Sequence, residues 1–348
     1  MSELVDHLAE LTGFRDRDVL DTTLASALRD LLRPRSVTVY RCVRASDVAA
    51  SQHWITRSRL TGGDVAATSD SAWIDLERLP TLDASPERAH CLREQVVVAL
   101  PGPPALTMFP LGTDRGTVGV VEIETDAPLD AAAQRLVANI LRIVRNVQAL
   151  LDYGERDSLT GLLNRKTFED NFIKAAQEQP RAAAGDITQD DERRARVAPL
   201  AHWLGIIDID HFKHVNDNHG HLIGDEVLLL LARLMRSTFR HHDRLYRFGG
   251  EEFVVLVRCT GDAEAAMAFE RLRTNVECYP FPQVGRVTVS AGFTAVAHGD
   301  APSAAFARAD KAVYAAKQQG RNRVVSYATL LASGLLPDPP KSGDIELF

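Results

Sequence analysis

The run Leu204-Gly205-Ile206-Ile207-Asp208-Ile209-Asp210 places the tightest constraint on this chain. It is apolar enough for the interior of a sheet, yet it ends in two carboxylates. Charge at the end of a buried strand is costly unless a cation or a partner compensates it. Downstream, Asp243 to Val257 reads as a hairpin with Gly249-Gly250 near its turn, and Glu251 and Glu252 follow the glycines directly. Glycine there permits unusual backbone angles and a close approach of ligand to main chain. If the two strands are neighbours, Asp208 and Glu251 can share divalent cations, which activate a hydroxyl and neutralise phosphate charge. A solvated acidic hairpin tip is the plainer alternative, but it leaves the acidic end of the buried strand unexplained.

At 348 residues the chain is long for one core and predicts two domains with a connector. A formal charge of -7 argues against a nucleic-acid binder, whose footprint should be basic. It does not argue against a nucleotide, which needs only a few local cations and a metal ion. Cys42, Cys91, Cys259 and Cys278 lack CxxC spacing and read as core residues of a reducing compartment. The N-terminus has neither the cationic start nor the apolar stretch of a signal peptide, and no apolar run approaches ~18 residues. The expectation is a cytoplasmic protein without membrane insertion, whose signal is cytosolic or reaches it through a partner.

Leu4 to Leu32 reads as helical, Ser36 to Val43 as a strand, and Val96-Val97-Val98 as a short buried strand. A strand is expected around Trp54 and a short helix from Ser85-Pro86. Leu106 to Leu111 and Thr117 to Glu124 predict a hairpin. A helix, several strands and a closing hairpin of the form Phe109-Pro110-Leu111 … Gly119-Val120-Val121-Glu122-Ile123 resemble a GAF-type sensor domain. Leu129 to Leu151 then forms one helix in which Leu136, Ile140, Ile143, Val147 and Leu150 recur at steps of four and three. That spacing is a coiled-coil seam, with packing on the helix's own domain as the alternative. Beyond it, strands and helices mix without strict βαβ alternation, which predicts an α+β sandwich with a mostly antiparallel sheet. The polar stretch from 178 to 197 reads as a surface insertion.

Four segments in register carry a second resemblance. They are Asp208-Ile209-Asp210-His211-Phe212-Lys213, Asn216 through Asp225, Arg247 to Phe253, and Ala309 through Lys317 with Gly320-Arg321-Asn322. In order and spacing they resemble the GGDEF diguanylate cyclase signature, from about Asp157 to Ser326. The resemblance implies an α+β, palm-like domain with a mostly antiparallel sheet flanked by helices. The expected division is a GAF-like sensor over 1–127, a coiled-coil signalling helix over 128–156, a GGDEF domain over 157–328, and a flexible tail over 329–348.

By that resemblance Asp208, the Ile209 carbonyl and Glu251 hold Mg2+ or Mn2+, and Glu252 supports the metal or the attacking 3′-hydroxyl. Asn216 and Asp225 would read guanine, since a carboxylate accepts from its N1-H and N2-H2 edge while an amide both donates and accepts. Lys213, Lys317 and Arg321 would meet the triphosphate, with Phe212, Gly249 and Gly250 lining the substrate. For Lys317 and Arg321 a basic helix C-terminus favoured by the dipole is the alternative. The implied reaction joins two GTP into cyclic di-GMP plus pyrophosphate, one GTP held by each subunit of a homodimer that the coiled coil brings together. Arg240-His241-His242-Asp243 matches the family's Arg-x-x-Asp product-inhibition motif, with Arg271 a third member; a surface Arg–Asp pair is the alternative. His211, His214, His219, His221, His241 and His242 crowd one region, yet no cysteine or HExxH pattern accompanies them. His90, Cys91 and Trp54 are read as core or surface residues of the sensor half. A catalytically silent receptor for GTP or cyclic di-GMP is the alternative function, and a cyclase of mixed purine choice a third.

Overall fold

Two sheets organise the chain, one in each of two units that divide between Gly154 and Glu155. The computed structural model describes residues 2–13, 17–44, 52–71, 74, 76–113, 116–177 and 200–334. The stretch 178–197 and residues 335–348 of the tail lie outside the described residues.

In the first unit the helical stretch is two helices, α1 (Ser2–Gly13) and α2 (Arg17–Leu32). Strands β1 (Ser36–Arg44) and β2 (Gln52–Thr61) follow, then α3 (Pro86–Glu94), which has Pro86 in its first turn as its fixed φ favours. The rest is β3 (Val98–Leu100), β4 (Ala105–Thr113), β5 (Gly116–Thr125) and α4 (Ala131–Glu155). The sheet order is β2-β1-β5-β4-β3, with every neighbour antiparallel. One face packs Val37, Val39, Phe109, Val121 and Ile123 against Leu20, Leu24 and Leu28 of α2 and Val137, Ile140, Leu141 and Val144 of α4. Each such buried aliphatic side chain contributes about 1.5–3 kcal/mol of transfer free energy. The other face packs Trp54, Met108 and Val120 against Ala89, Cys91 and Leu92 of α3.

Two expectations change here. Val96 and Val97 are not strand residues and stand more than two-fifths exposed, because β3 begins at Val98 and is an edge of the sheet. In α4, Ile140 of the expected seam is buried in the unit's own core, Leu136 and Val147 pack at its margin, and Leu150 is 74% exposed. A helix with apolar residues on more than one stripe can serve its own core and still leave a seam.

The second unit starts with β6 (Leu163–Asn164) and α5 (Arg165–Gln177), then the predicted central strand β7 (Ala201–Ile209). Helices α6 (Phe212–His219) and α7 (His221–Thr238) precede the hairpin of β8 (Arg244–Gly249) and β9 (Glu252–Cys259). Then come α8 (Asp262–Cys278), β10 (Val289–Ala295), α9 (Pro302–Gln318), β11 (Val324–Ser326) and α10 (Tyr327–Ser333). The order is β11-β10-β7-β9-β8-β6, with antiparallel pairs in the middle and a parallel pair at each edge. This is the mixed α+β architecture expected. The stretch expected as loose tail begins instead as α10, where Leu330 is 3% exposed against Ala312 and Ala315 of α9.

Strand parity sorts the sheet into two faces. Trp203, Ile207 and Ile209 point to the core formed with α6, α7 and α8, whereas Leu204 and Ile206 point to α5 and α9. Asp208 shares the parity of Leu204 and Ile206, so it faces the side where α9 lies. That helix comes unusually close at Gly292, where a Cβ would sit 2.2 Å from the Val313 nitrogen.

Candidate active site

Register, more than sequence distance, assembles the acids. Asp208 lies directly opposite Glu252 across the β7–β9 pair, and Glu251 sits in the turn just before it. Gly249 and Gly250 have φ of 154° and 49°, and the second lies in the left-handed region that glycine adopts without strain. The turn is held from outside the hairpin. The Arg247 guanidinium donates to the Gly250 carbonyl at 2.9 and 3.2 Å and to both oxygens of Asp157 at 3.1 and 3.2 Å. Asp157 in turn accepts from the Thr160 amide and hydroxyl, each at 2.7 Å. Burial pushes the Asp157 carboxyl up, but the Thr160 and Arg247 hydrogen bonds outweigh it and hold the group below its usual range.

Asp208 is 6% exposed and pairs with the Lys317 ammonium at 2.9 Å. Its carboxyl is nonetheless raised, chiefly by burial, with Lys317 opposing and Asp210 adding to the rise. Glu251 and Glu252 are raised as well, by burial first and then by the charge of Asp208. Asp310 of α9, also raised by burial, repels Glu252. Three carboxylates that push each other toward protonation make a site short of positive charge, even with Lys317 and Arg321 nearby. The second acid of the strand, Asp210, has a different fate. It accepts from Ser290 Oγ at 2.6 Å, Thr288 Oγ1 at 2.7 Å and the Asn322 amide at 3.0 Å, and is satisfied structurally.

The donor set suits a hard cation. Asp208, Glu251 and the Ile209 carbonyl offer only oxygen, and Mg2+ is commonly held by one or two carboxylates completed by water and substrate phosphate. Among the described residues no group of three or more His, Cys, Asp or Glu is placed to hold a metal ion by itself. His211 and His214 contact edge to face at 5.7 Å.

The α6–α7 turn brings the expected base readers together. Gly224 lies against Asn216, where a Cβ would come within 1.9 Å of the Asn216 side-chain oxygen, and exposed Asp225 follows it. Lys213 is exposed in the first turn of α6, after His211 with φ of 58°. The Phe212 ring is 6% exposed within the core, and its tip lies against Gly224 beside Asn216.

A second cluster lies before β8. Arg240 and Asp243 do not form a side-chain ion pair; the Asp243 carboxylate accepts from the Arg240 amide at 2.8 Å, and the Arg240 guanidinium bonds Glu264 at 3.2 Å. Arg271 donates to the Thr238 carbonyl at 2.8 Å, and its charge also reaches Asp243. Asp243 Oδ1 is buried and accepts no hydrogen bond, with His242 Nε2 3.8 Å away. Burial lowers His242 to about 4 and raises Asp243 to about 6. Because the folded pKa of Asp243 lies above its ordinary value of 3.8, its charge destabilises the native state fully above pH 6 and ceases to do so near pH 4. Asp243→Asn is therefore expected to add about 1–3 kcal/mol of stability at pH 7.5, a gain that shrinks toward zero as the pH falls to about 4. Urea unfolding at the two pH values checks the sign.

Residues 155–323 match the family described as Diguanylate cyclase, GGDEF domain. That match lies within the second unit. The chain is 39% identical over 171 residues to the diguanylate cyclase DgcP of Pseudomonas aeruginosa, covering 48% of this chain and 23% of that protein. It is 40% identical over 192 residues to the response regulator PleD of Caulobacter vibrioides, covering 53% and 38%. With the diguanylate cyclase DgcZ of Escherichia coli it shares 33% identity over 202 residues, covering 57% and 62%. The chain thus spans less than two thirds of each of these relatives.

Asp157, Arg247 and Asp310 take their roles from what they meet in the fold. The Asp-x-x-Thr spacing from Asp157 to Thr160 is a turn signal that could have found the first. Nothing local announces its bond to Arg247, which depends on β6 pairing beside β8. In the first unit, Trp54 is 1% exposed and donates to the Leu82 carbonyl at 3.2 Å, and Cys91 is fully buried with its thiol pushed up to about 12. Both are core residues. No helix among the described residues is long and apolar enough to cross a membrane.

Proposed function

We propose that this chain is a diguanylate cyclase, condensing two GTP into cyclic di-GMP with release of pyrophosphate. The observation that carries the reading is the register that sets Asp208 opposite Glu252, with Glu251 in the turn and Lys317 bonded to Asp208. In this reading the 3′-oxygen of one GTP forms a bond to the α-phosphorus of the other, and the bond from that phosphorus to the pyrophosphate oxygen breaks. The departing hydroxyl proton needs an acceptor, and Glu252, opposite Asp208 at the end of the paired strands, is the carboxylate we assign to it. Asp208, Glu251 and the Ile209 carbonyl would hold Mg2+ or Mn2+, which when bound neutralises phosphate charge and acidifies the attacking hydroxyl. Lys317, Arg321 and Lys213 bind phosphate oxygens, and Asn216 with Asp225 reads guanine.

One such site holds one GTP, so the reaction requires two domains face to face. A homodimer formed through α4 supplies the second, with Ile143 and Val147 partly exposed and Leu150 exposed on that helix. The first unit acts as a GAF-type sensor in the cytoplasm, a reading supported by its antiparallel sheet, closing hairpin and helices on both faces. Cyclic di-GMP inhibits at Arg240, Asp243 and Arg271, a reading supported by the gathering of the two arginines' charges around the Asp243 carboxylate.

Incubation of the purified chain with GTP and Mg2+, followed by chromatography, tests the activity. Binding of GTP or cyclic di-GMP without turnover in a dimeric, product-free sample would make it a receptor instead. Arg240→Ala is expected to weaken inhibition by added cyclic di-GMP at least about tenfold while initial turnover stays within about twofold. Unchanged inhibition would move the regulatory site elsewhere.

A further inference from the structure

Three consecutive residues after α9, Gly320, Arg321 and Asn322, have φ of 112°, 61° and 47°. Glycine enters this region freely, but two side-chain-bearing residues in succession do so only where their surroundings hold them. The Asn322 amide donates to Asp210 Oδ2 at 3.0 Å, which ties the turn to the end of β7 two residues beyond Asp208. The Asn322 side chain faces the other way, donating to Glu277 Oε1 at 2.9 Å and accepting from Arg273 Nη1 at 2.9 Å. Arg273 Nη1 also donates to Glu277 Oε2 at 2.5 Å, and Arg286 bonds the same carboxylate. The Arg273, Asn322 and Arg286 donors hold the Glu277 carboxyl down at about 2, so it is an anion throughout the working pH range. Arg321, at the centre of the turn, projects charge onto Asp208.

We infer that Glu277, acting with Arg273 through Asn322, is a positioning residue for phosphate binding: it fixes the strained 320–322 turn so that Arg321 meets the triphosphate. It lies on α8, on an element that contributes none of the metal-site or phosphate-binding residues, and it touches neither Asp208 nor Lys317. The inference rests on reading the acidic cluster as a GTP site. Its geometric half, the bracing of the turn, stands without that reading.

Glu277→Ala, Glu277→Gln and Glu270→Ala, made in the full chain, separate the possibilities. Glu270 bonds Arg273 at 2.7 Å from the same helix and has no bond to Asn322, so its loss reports any general loosening of α8. Glu277→Ala is expected to speed hydrogen exchange in the 320–323 segment about tenfold. It should also raise KM for GTP about tenfold with kcat within about threefold, the signature of a binding group lost from its position. Glu277→Gln keeps an acceptor for Asn322 and should fall between, which also guards against a misfolded alanine variant. Glu270→Ala should match the unaltered chain in both measurements. An unchanged KM in Glu277→Ala, or an equal rise in Glu270→Ala, overturns the inference while leaving the cyclase reading intact. If the unaltered chain neither binds nor converts GTP, the cyclase reading fails, and the assignment of Arg321 to a triphosphate fails with it.

Discussion

Asp208→Asn is expected to lower GTP turnover on the order of a thousandfold without destabilising the protein. Two effects of the same substitution separate here. The carboxylate is a proposed metal ligand, and an amide is a far poorer donor to a hard cation, so chemistry suffers. Stability responds to a different sum. Burial raises Asp208, and its charge in turn raises Glu251 and Glu252, so the native state holds all three charges at a penalty. A group raised in the folded state costs stability above its folded pKa and none below its ordinary value. Removing one charge relieves that penalty at neutral pH, while the bond from Lys317 is weakened. The melting temperature at pH 7.5 should therefore hold or rise. Turnover by chromatography and melting by calorimetry check both halves. A fall in stability like that of a core truncation would mean that the acids are structural, and retained turnover would remove Asp208 from the chemistry.

Gly292→Ala should destabilise the second unit by about 2–4 kcal/mol. The added Cβ would lie 2.2 Å from the Val313 nitrogen, 2.6 Å from the Ala309 oxygen and 2.6 Å from the Ala312 carbonyl carbon. All three are backbone atoms of α9, so no rotamer change relieves the clash and the helix itself must move. That helix carries Asp310 and Lys317, and a shift of about 1 Å can cost on the order of a hundredfold in rate. Denaturant unfolding should show the loss of stability, and the folded fraction should turn over GTP much more slowly. A stable variant of normal activity would show that β10 and α9 have room the structure does not display.

Much of the active site was legible because its chemistry conflicts with its surroundings. An apolar strand ending in acids, and glycines followed by acids, are locally improbable arrangements that ask for a ligand. The β8–β9 hairpin also followed from the sequence. Legibility failed where a pattern fits two environments. The stripe on α4 has the spacing of a seam, but periodicity does not say what a face will pack against, and Ile140 is spent on the unit's own core. Val96 to Val98 looked like an interior strand because three valines in a row suit a core. They stand at an edge, since only a partner on each side buries a strand.

Asp208, Glu251 and Glu252 stand out by residue type and place in the sequence, whereas Lys317 and Arg321 are singled out only through the family resemblance of their segment. What the chain alone did not disclose was what each acid of the Asp208-Ile209-Asp210 run would meet. Asp208 lies in β7 and Asp210 one residue past its end. Beyond the strand end their environments diverge. Asp208 meets Glu252 and Lys317, while Asp210 is met by Ser290, Thr288 and the Asn322 amide. The same holds for the braces at Arg247–Asp157 and Glu277–Asn322, whose members are 90 and 45 residues apart. Residue chemistry determines what a group can do, and strand register with helix packing determines what it meets.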